Sequence, residues 1–212
     1  MKKTKLGKLL DKWRYTLEYD TSYSFPRDVV EHCLYQAWKV TPSKNSFMPY
    51  KVFVIGPENW DIKYKIYKTA LMKELTVNER NSNPNKWPDP VMKRSLKNAE
   101  YTVVFCPRVE DKPSRWQKYL HEGGCFMDAW YEDMDEKYKK NILLEVGMFA
   151  ANLTAFCLEQ GINTNYISSF ESRLEYWKDI DFVKTKPCLL MTLGKTLRTR
   201  RQWLEKEEEK SD

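Results

Sequence analysis

Two stretches of this sequence hold most of its ligand-binding chemistry. The first is Pro42-Ser43-Lys44-Asn45-Ser46-Phe47-Met48-Pro49, where hydroxyl, ammonium and amide groups sit on a loop stiffened by two prolines. Such groups can hydrogen-bond the polar edge of a ligand, although an isolated polar turn has the same composition. The second is the basic run Lys195-Thr196-Leu197-Arg198-Thr199-Arg200-Arg201. Arginine forks match phosphate oxygens in bidentate geometry, so Lys195, Arg198, Arg200 and Arg201 are candidates for anion binding, against the alternative of a solvated charged stretch. Between them lie Tyr166-Ile167-Ser168-Ser169 at a strand end, and the aromatic-rich set Trp116, Tyr119, His121 and Phe126, which could stack on a planar molecule. No nucleophile–base–acid triad is visible, and His121-Glu122-Gly123-Gly124 is not the H-E-x-x-H zinc pattern. With His32 and His121 as the sole histidines, no metal site is expected.

Composition narrows the class. The chain has 212 residues, 42% of them apolar and 14% aromatic, which fits one domain with a large core and excludes a disordered chain. Cys33, Cys106, Cys125, Cys157 and Cys188 are odd in number and lack C-x-x-C spacing, so they read as reduced, mostly buried residues of a cytoplasmic protein. No run of 18 apolar residues and no signal peptide is found, so no membrane association is expected. The net charge of +6 comes from 36 basic residues set among 30 acidic ones. That balance suits an anionic small molecule and argues against nucleic acid, which calls for a clustered basic face.

The elements that must position these residues follow from periodicity. Leu6, Leu9, Leu10, Trp13 and Leu17 predict an opening helix to about Glu18, and Pro26 opens a second one. Lys51–Ile55 reads as a strand, followed by a helix with Trp60, Tyr64, Tyr67 and Leu71 on one stripe. Residues 81–90 form a loop and residues 91–98 a short helix, and Tyr101–Cys106 is a buried central strand. Residues 137–160 form the longest helix, apolar on most sides and capped by Gly161. Thr164–Ser168 is short and extended, and Pro187–Leu193 is expected as the last strand. The mixture gives an α/β (α+β sandwich) class in one domain, 1–212, with an N-terminal helix (1–18), a variable lid-like segment (107–136) and a charged tail (202–212).

Three segments in this order resemble the FMN-dependent nitroreductase superfamily. They are Thr41–Tyr50, with Met48 where the family has Gln; Asn98–Cys106, like the family's central strand; and Glu145–Leu153 running through Gly161 to Ile167-Ser168-Ser169-Phe170. The likeness spans roughly residues 19–201. The family's Arg-x-Ser-x-Arg-like stretch is matched here by Tyr19-Asp20-Thr21-Ser22-Tyr23, with no arginine; Arg14 and Arg27 stand nearby.

The resemblance implies a mostly antiparallel sheet flanked by helices, a long buried dimer-interface helix and a homodimer. It implies bound FMN, contacted by Ser43, Lys44, Asn45, Ser46 and Met48 across the dimer, by Tyr166, Ile167, Ser168 and Ser169 on the other side, and by Lys195, Arg198, Arg200 and Arg201 at the phosphate. NAD(P)H would reduce the flavin and a small planar acceptor, a nitroaromatic or quinone under Trp116, Tyr119, His121 and Phe126, would reoxidise it in ping-pong order. No catalytic side chain is expected, since the cofactor carries the reaction. The alternatives are a reductive dehalogenase-like relative, a flavin-binding protein without activity, and a basic nucleic-acid-binding protein.

Overall fold

The computed structural model describes residues 4–11, 13, 15–43, 48–73, 75, 94–108, 136–171, 174–199 and 202. The opening helix is shorter than its periodicity predicts. α1 covers Lys5–Leu10, capped by Thr4, whose hydroxyl accepts from the Gly7 amide at 3.1 Å. The chain then turns, and Thr16–Tyr19 forms a strand, β1. Trp13 and Leu17 are four apart and imitate a helical stripe, but Leu17 is buried from an extended backbone.

α2 (Arg27–Val40) starts directly after Pro26, which supplies a fixed φ where no intrahelical N–H is needed. It buries Val30, Cys33 and Ala37 on one stripe. β2 (Tyr50–Ile55) follows, then a 3-10 turn at Pro57–Asn59 and α3 (Trp60–Met72). α4 (Arg94–Asn98) leads into β3 (Tyr101–Pro107), all seven of whose residues are buried. α5 is Glu136–Glu159. It ends at Gly161, whose φ of +75° is readily adopted by glycine alone. The Ile162 amide returns to the Cys157 carbonyl at 2.9 Å and the Gly161 amide to Leu158 at 3.1 Å, closing a Schellman cap. β4 (Asn163–Ile167), a 3-10 turn at Leu174–Tyr176 and β5 (Leu189–Gly194) come next. The expected last strand is not the last: Thr196–Thr199 forms β6.

The main sheet has the order β2-β3-β5-β4 and is antiparallel throughout. β1 and β6 form a separate antiparallel pair. Gly194, the last residue of β5, lies so close to the Tyr19 ring that an added Cβ would sit 2.9 Å from Cδ1. Strand alternation divides the core in two. Tyr101, Val103, Phe105, Met191 and Leu193 face α2 and α5, whereas Val104, Cys106, Ile167 and Leu190 face α3 and Trp177.

α5, apolar on most sides, is buried along its inner face and open along one side. Ile142, Val146, Phe149 and Leu153 are buried, but Leu143 and Leu144 are 46% and 62% exposed, and Gly147 and Ala151 lie on the same open side. By length and composition, Lys140–Glu159 is apolar enough to cross a membrane. Its inner face is nevertheless packed against α2 and the sheet as a core helix.

Candidate functional site

β4 is an edge strand, and its alternation sets what each candidate residue can reach. Thr164 and Tyr166 face α5. One proton arrangement satisfies every member of a chain there. Trp13 Nε1 donates to the Thr164 carbonyl and hydroxyl, both at 3.2 Å. Thr164 donates to Thr154 at 3.0 Å, Thr154 donates to the Tyr166 hydroxyl, and Tyr166 donates to the Ala150 carbonyl at 3.2 Å. Burial raises the Tyr166 pKa, partly offset by Thr154. The Tyr166 hydroxyl is therefore committed to α5. Ile167 packs into the core on the other face, and Asn165, on that same face, donates to Ser95 Oγ at 3.1 Å, tying β4 to α4. Of the four residues singled out here from the sequence, Ser168 and Ser169 are the ones whose side chains stay exposed.

On the far edge of the sheet, Ser43 Oγ accepts from the Met48 amide at 2.7 Å. Met48 has a positive φ of 45°, a left-handed conformation that costs a side-chain-bearing residue about 1–3 kcal/mol. Such outliers gather where a loop is held for function. Lys44, Asn45 and Ser46 lie outside the described residues.

Strand register relates these two places. Tyr50 pairs with Pro107, Phe105 with Leu189, and Leu190 with Ile167. The Ser43–Met48 loop and Ser168-Ser169 are therefore at the same end of the sheet, on opposite edges. Three strand spacings separate them, about 14 Å. A single chain does not bring them together.

The basic run sits at the opposite end. Asn163, the first residue of β4, pairs with Gly194, and its Oδ1 accepts from the Thr196 amide at 3.3 Å. From there to Ser168 is five residues of strand, about 17 Å. Lys195 is exposed, with Nζ 5.6 Å from the Tyr23 ring centre. The Asp20 pKa beside it is lowered, mainly by hydrogen bonds from Ser22 and slightly by Lys195. Arg198 is half-buried, and its Nη2 meets Glu18 Oε2 at 2.5 Å across the β1–β6 pair. Its Nε is buried and has no acceptor among the described residues. An arginine with one edge occupied and a second donor unmet fits an anionic oxygen from a ligand. Arg200 and Arg201 lie outside the described residues, as do Trp116, Tyr119, His121 and Phe126.

Glu18 is the residue that sequence reasoning missed. It had been assigned to a helix end, and its partner is 180 residues away. A recess of about 510 Å³ between α3 and the Leu174–Tyr176 turn, lined by Tyr64, Lys65, Lys68, Tyr176, Lys178 and Asp179 among others, contains none of the candidate residues. Among the described residues no cluster suited to a metal ion occurs.

Solved structures supply the wider comparison. A nitroreductase-like protein from Streptococcus mutans is 18% identical with a TM-score of 0.63, covering 91% of this chain and 89% of its own. Nitroreductase A from Vibrio parahaemolyticus is 12% identical, with a TM-score of 0.63 over 93% of this chain and 70% of its own. A protein of Exiguobacterium sibiricum, assigned as a nitroreductase and solved in complex with FMN, is 16% identical, with a TM-score of 0.61 over 93% and 91%. No family model and no curated protein matches the sequence.

Proposed function

This chain has the nitroreductase fold, and from that premise we propose that it is an FMN-dependent oxidoreductase. It works as a homodimer, takes electrons from NADH or NADPH, and passes them to a small planar acceptor such as a nitroaromatic or quinone. The observation that carries this reading is the layout of the β4 edge. Two exposed serines stand at one end, and the other end, at Asn163 about 17 Å away, meets the turn into the segment that carries Lys195 and Arg198, whose Nε is unmet among the described residues. That layout suits a molecule with a flat polar head and a long anionic tail.

FMN, when bound, supplies the hydride chemistry. The protein's tasks are to bind, orient and shield. Ser168 and Ser169 offer hydroxyls and backbone amides to the head, and Arg198 and Lys195 offer charge to the tail. The Thr164–Thr154–Tyr166 chain fixes the strand that carries the serines. The Ser43–Met48 loop, some 14 Å across the sheet, completes the slot from the second copy. The open stripe of α5, with Leu143, Leu144, Gly147 and Ala151, is the surface on which that copy packs.

The test is direct. Purified protein should absorb in the flavin region, release FMN on denaturation, and oxidise NADH or NADPH faster when menadione or nitrofurazone is added. A colourless protein that takes up no added FMN refutes the proposal and leaves the fold untouched.

A further inference from the structure

We propose that the recess between α3 and the Leu174–Tyr176 turn is a second small-molecule site, and that it takes a planar aromatic carboxylate with a hydroxyl at its far end. None of the residues lining it is a candidate flavin contact, and the proposal stands independently of the flavin reading.

The walls of the recess are fixed before any ligand arrives. The buried Thr69 hydroxyl is shared between the Lys65 carbonyl at 3.0 Å and the Tyr176 carbonyl at 3.1 Å, which fastens α3 to the turn. Lys65 Nζ donates to the Asp179 carbonyl at 3.3 Å, a second tie between the same walls. Behind the turn, Trp177 is fully buried, packs edge-on against Phe170 and donates to the Glu171 carbonyl at 2.7 Å. About 510 Å³ stays open between the walls. That lies within the range of roughly 300–1,000 Å³ usual for small-molecule pockets.

The lining is graded from apolar to charged. Thr69 and Ile180 are buried, and Tyr64, Met72 and Tyr176 are half-buried, so a ring that enters covers aromatic and aliphatic surface. Lys65, Lys178, Glu175 and Asp179 are exposed at the mouth, with Lys68 half-buried beside them. The signs are divided between the walls. Lys65 and Lys68 are three apart on α3 and so lie on one face of it, and α3 contributes no acid to the lining. Both carboxylates, Glu175 and Asp179, come from the turn and the residues after it, as does Lys178. An ammonium has three donors, and Lys65 uses one of them on the Asp179 carbonyl. Lys68 Nζ stands 5.1 Å from the Tyr64 ring centre, which keeps its charge at the same mouth. An anionic group therefore fits against α3, and a hydroxyl across the ring can donate to a carboxylate of the opposite wall.

Calorimetric titration of the purified protein with 6-hydroxy-2-naphthoate, and with its uncharged isostere 6-hydroxy-2-naphthamide, tests the proposal without reference to turnover. The native chain is expected to bind one molecule of the acid. Exposed lysine–carboxylate pairs contribute up to about fivefold each, so two lysines are expected to favour the acid over the amide by about tenfold. Lys65→Gln combined with Lys68→Gln is expected to reduce that preference below about twofold and to leave amide binding nearly unchanged. Lys65→Arg combined with Lys68→Arg keeps both charges and is expected to keep most of the preference. Met72→Trp fills the interior and is expected to abolish binding of both molecules. Circular dichroism checks that the variants fold. Should Met72→Trp not fold, Tyr176→Ala provides the second arm, and is expected to weaken acid and amide alike by removing ring contact. Saturating FMN is expected to leave all these affinities unchanged. Absence of acid binding, equal binding of acid and amide, a preference that survives loss of both lysines, or displacement of the acid by FMN each overturns the assignment of this recess.

Discussion

Lys63 offers a quantitative test of how the head of β3 is held. The residue is 4% exposed, and its ammonium donates to the Ala99 carbonyl and to the Glu100 carbonyl, the latter at 2.9 Å, just beyond the end of α4. Glu100 in turn accepts from Ser24 Oγ at 2.7 Å and the Phe25 amide at 2.8 Å, fixing the entry to α2. Burial lowers the Lys63 pKa from 10.5 to about 8, with Glu100 and Glu58 pulling it back up. Between those two pH values the unfolded chain binds more protons than the folded one, so this lysine's contribution to stability rises with pH. Integrating the two titrations gives an increase of about 2 kcal/mol between roughly pH 7.5 and 9.5.

Buried thiols act in the opposite direction over the same range. The pKa values of Cys106, Cys157 and Cys188 are raised, for Cys106 and Cys188 by burial first and for Cys157 by the Cys33 contact and burial together. Their unfolded forms ionise first, and stability falls as pH rises through the ordinary thiol range. The measurable quantity is therefore the stability difference between the native chain and Lys63→Met, in which the cysteine contributions cancel. Methionine leaves the two carbonyls without that donor, a cost of about 1–3 kcal/mol each that does not vary with pH. Urea unfolding should show the native chain gaining about 2 kcal/mol on Lys63→Met from roughly pH 7.5 to 9.5, with equal m values. A difference that stays constant across that range refutes the assigned titration and the closed environment it implies.

Two further outcomes follow from local geometry. Leu144→Asp places a charge on a side chain that is 62% exposed in the single chain. It should leave folding intact but convert a dimer to monomers in sedimentation, whereas an unchanged dimer would remove α5 from the interface. Gly161→Ala forces a φ of +75° on a residue with a Cβ, at a position with open space around it. It should lower stability by about 1–2 kcal/mol without changing the urea slope, and a neutral effect would contradict the assigned cap.

The long elements were legible because their signals are local. Val30, Cys33 and Ala37 at helical spacing, Pro26 at a helix start and Gly161 at a helix end each act within a few residues. Tyr101–Cys106 reads as a central strand because it lacks polar alternation, and β3 is indeed buried on both faces. β1 and β6 were hidden because each has four residues and its partner lies at the other end of the chain. Thr196-Leu197-Arg198-Thr199 does alternate, but its basic neighbours dominated the reading. The site divided in the same way. Ser168 and Ser169 stand out through the resemblance of the turn they occupy, and the structure leaves their side chains exposed, whereas the Glu18–Arg198 and Asn165–Ser95 contacts depend on non-local pairing that composition does not encode.

α5 shows why packing has to be consulted before hydropathy is interpreted. Its composition alone would suit a membrane. Yet its inward side carries the polar links: Asn152 donates to Thr41 Oγ1 at 3.0 Å, Thr154 joins the chain to Tyr166, and Glu145 is buried. Its outward side carries Leu143, Leu144, Gly147 and Ala151. A stable dimer buries about 800 Å² per partner, more than one helical stripe provides. α2, packed against α5, also exposes Tyr35, Trp38 and Val40, each more than half accessible. The same two helices bracket the Ser43–Met48 loop, since α2 leads into it and α5 holds Thr41 at its start. If a second copy covers those open faces, as proposed above, α2 and α5 are the elements through which subunit association would act on Thr41 and Ser43.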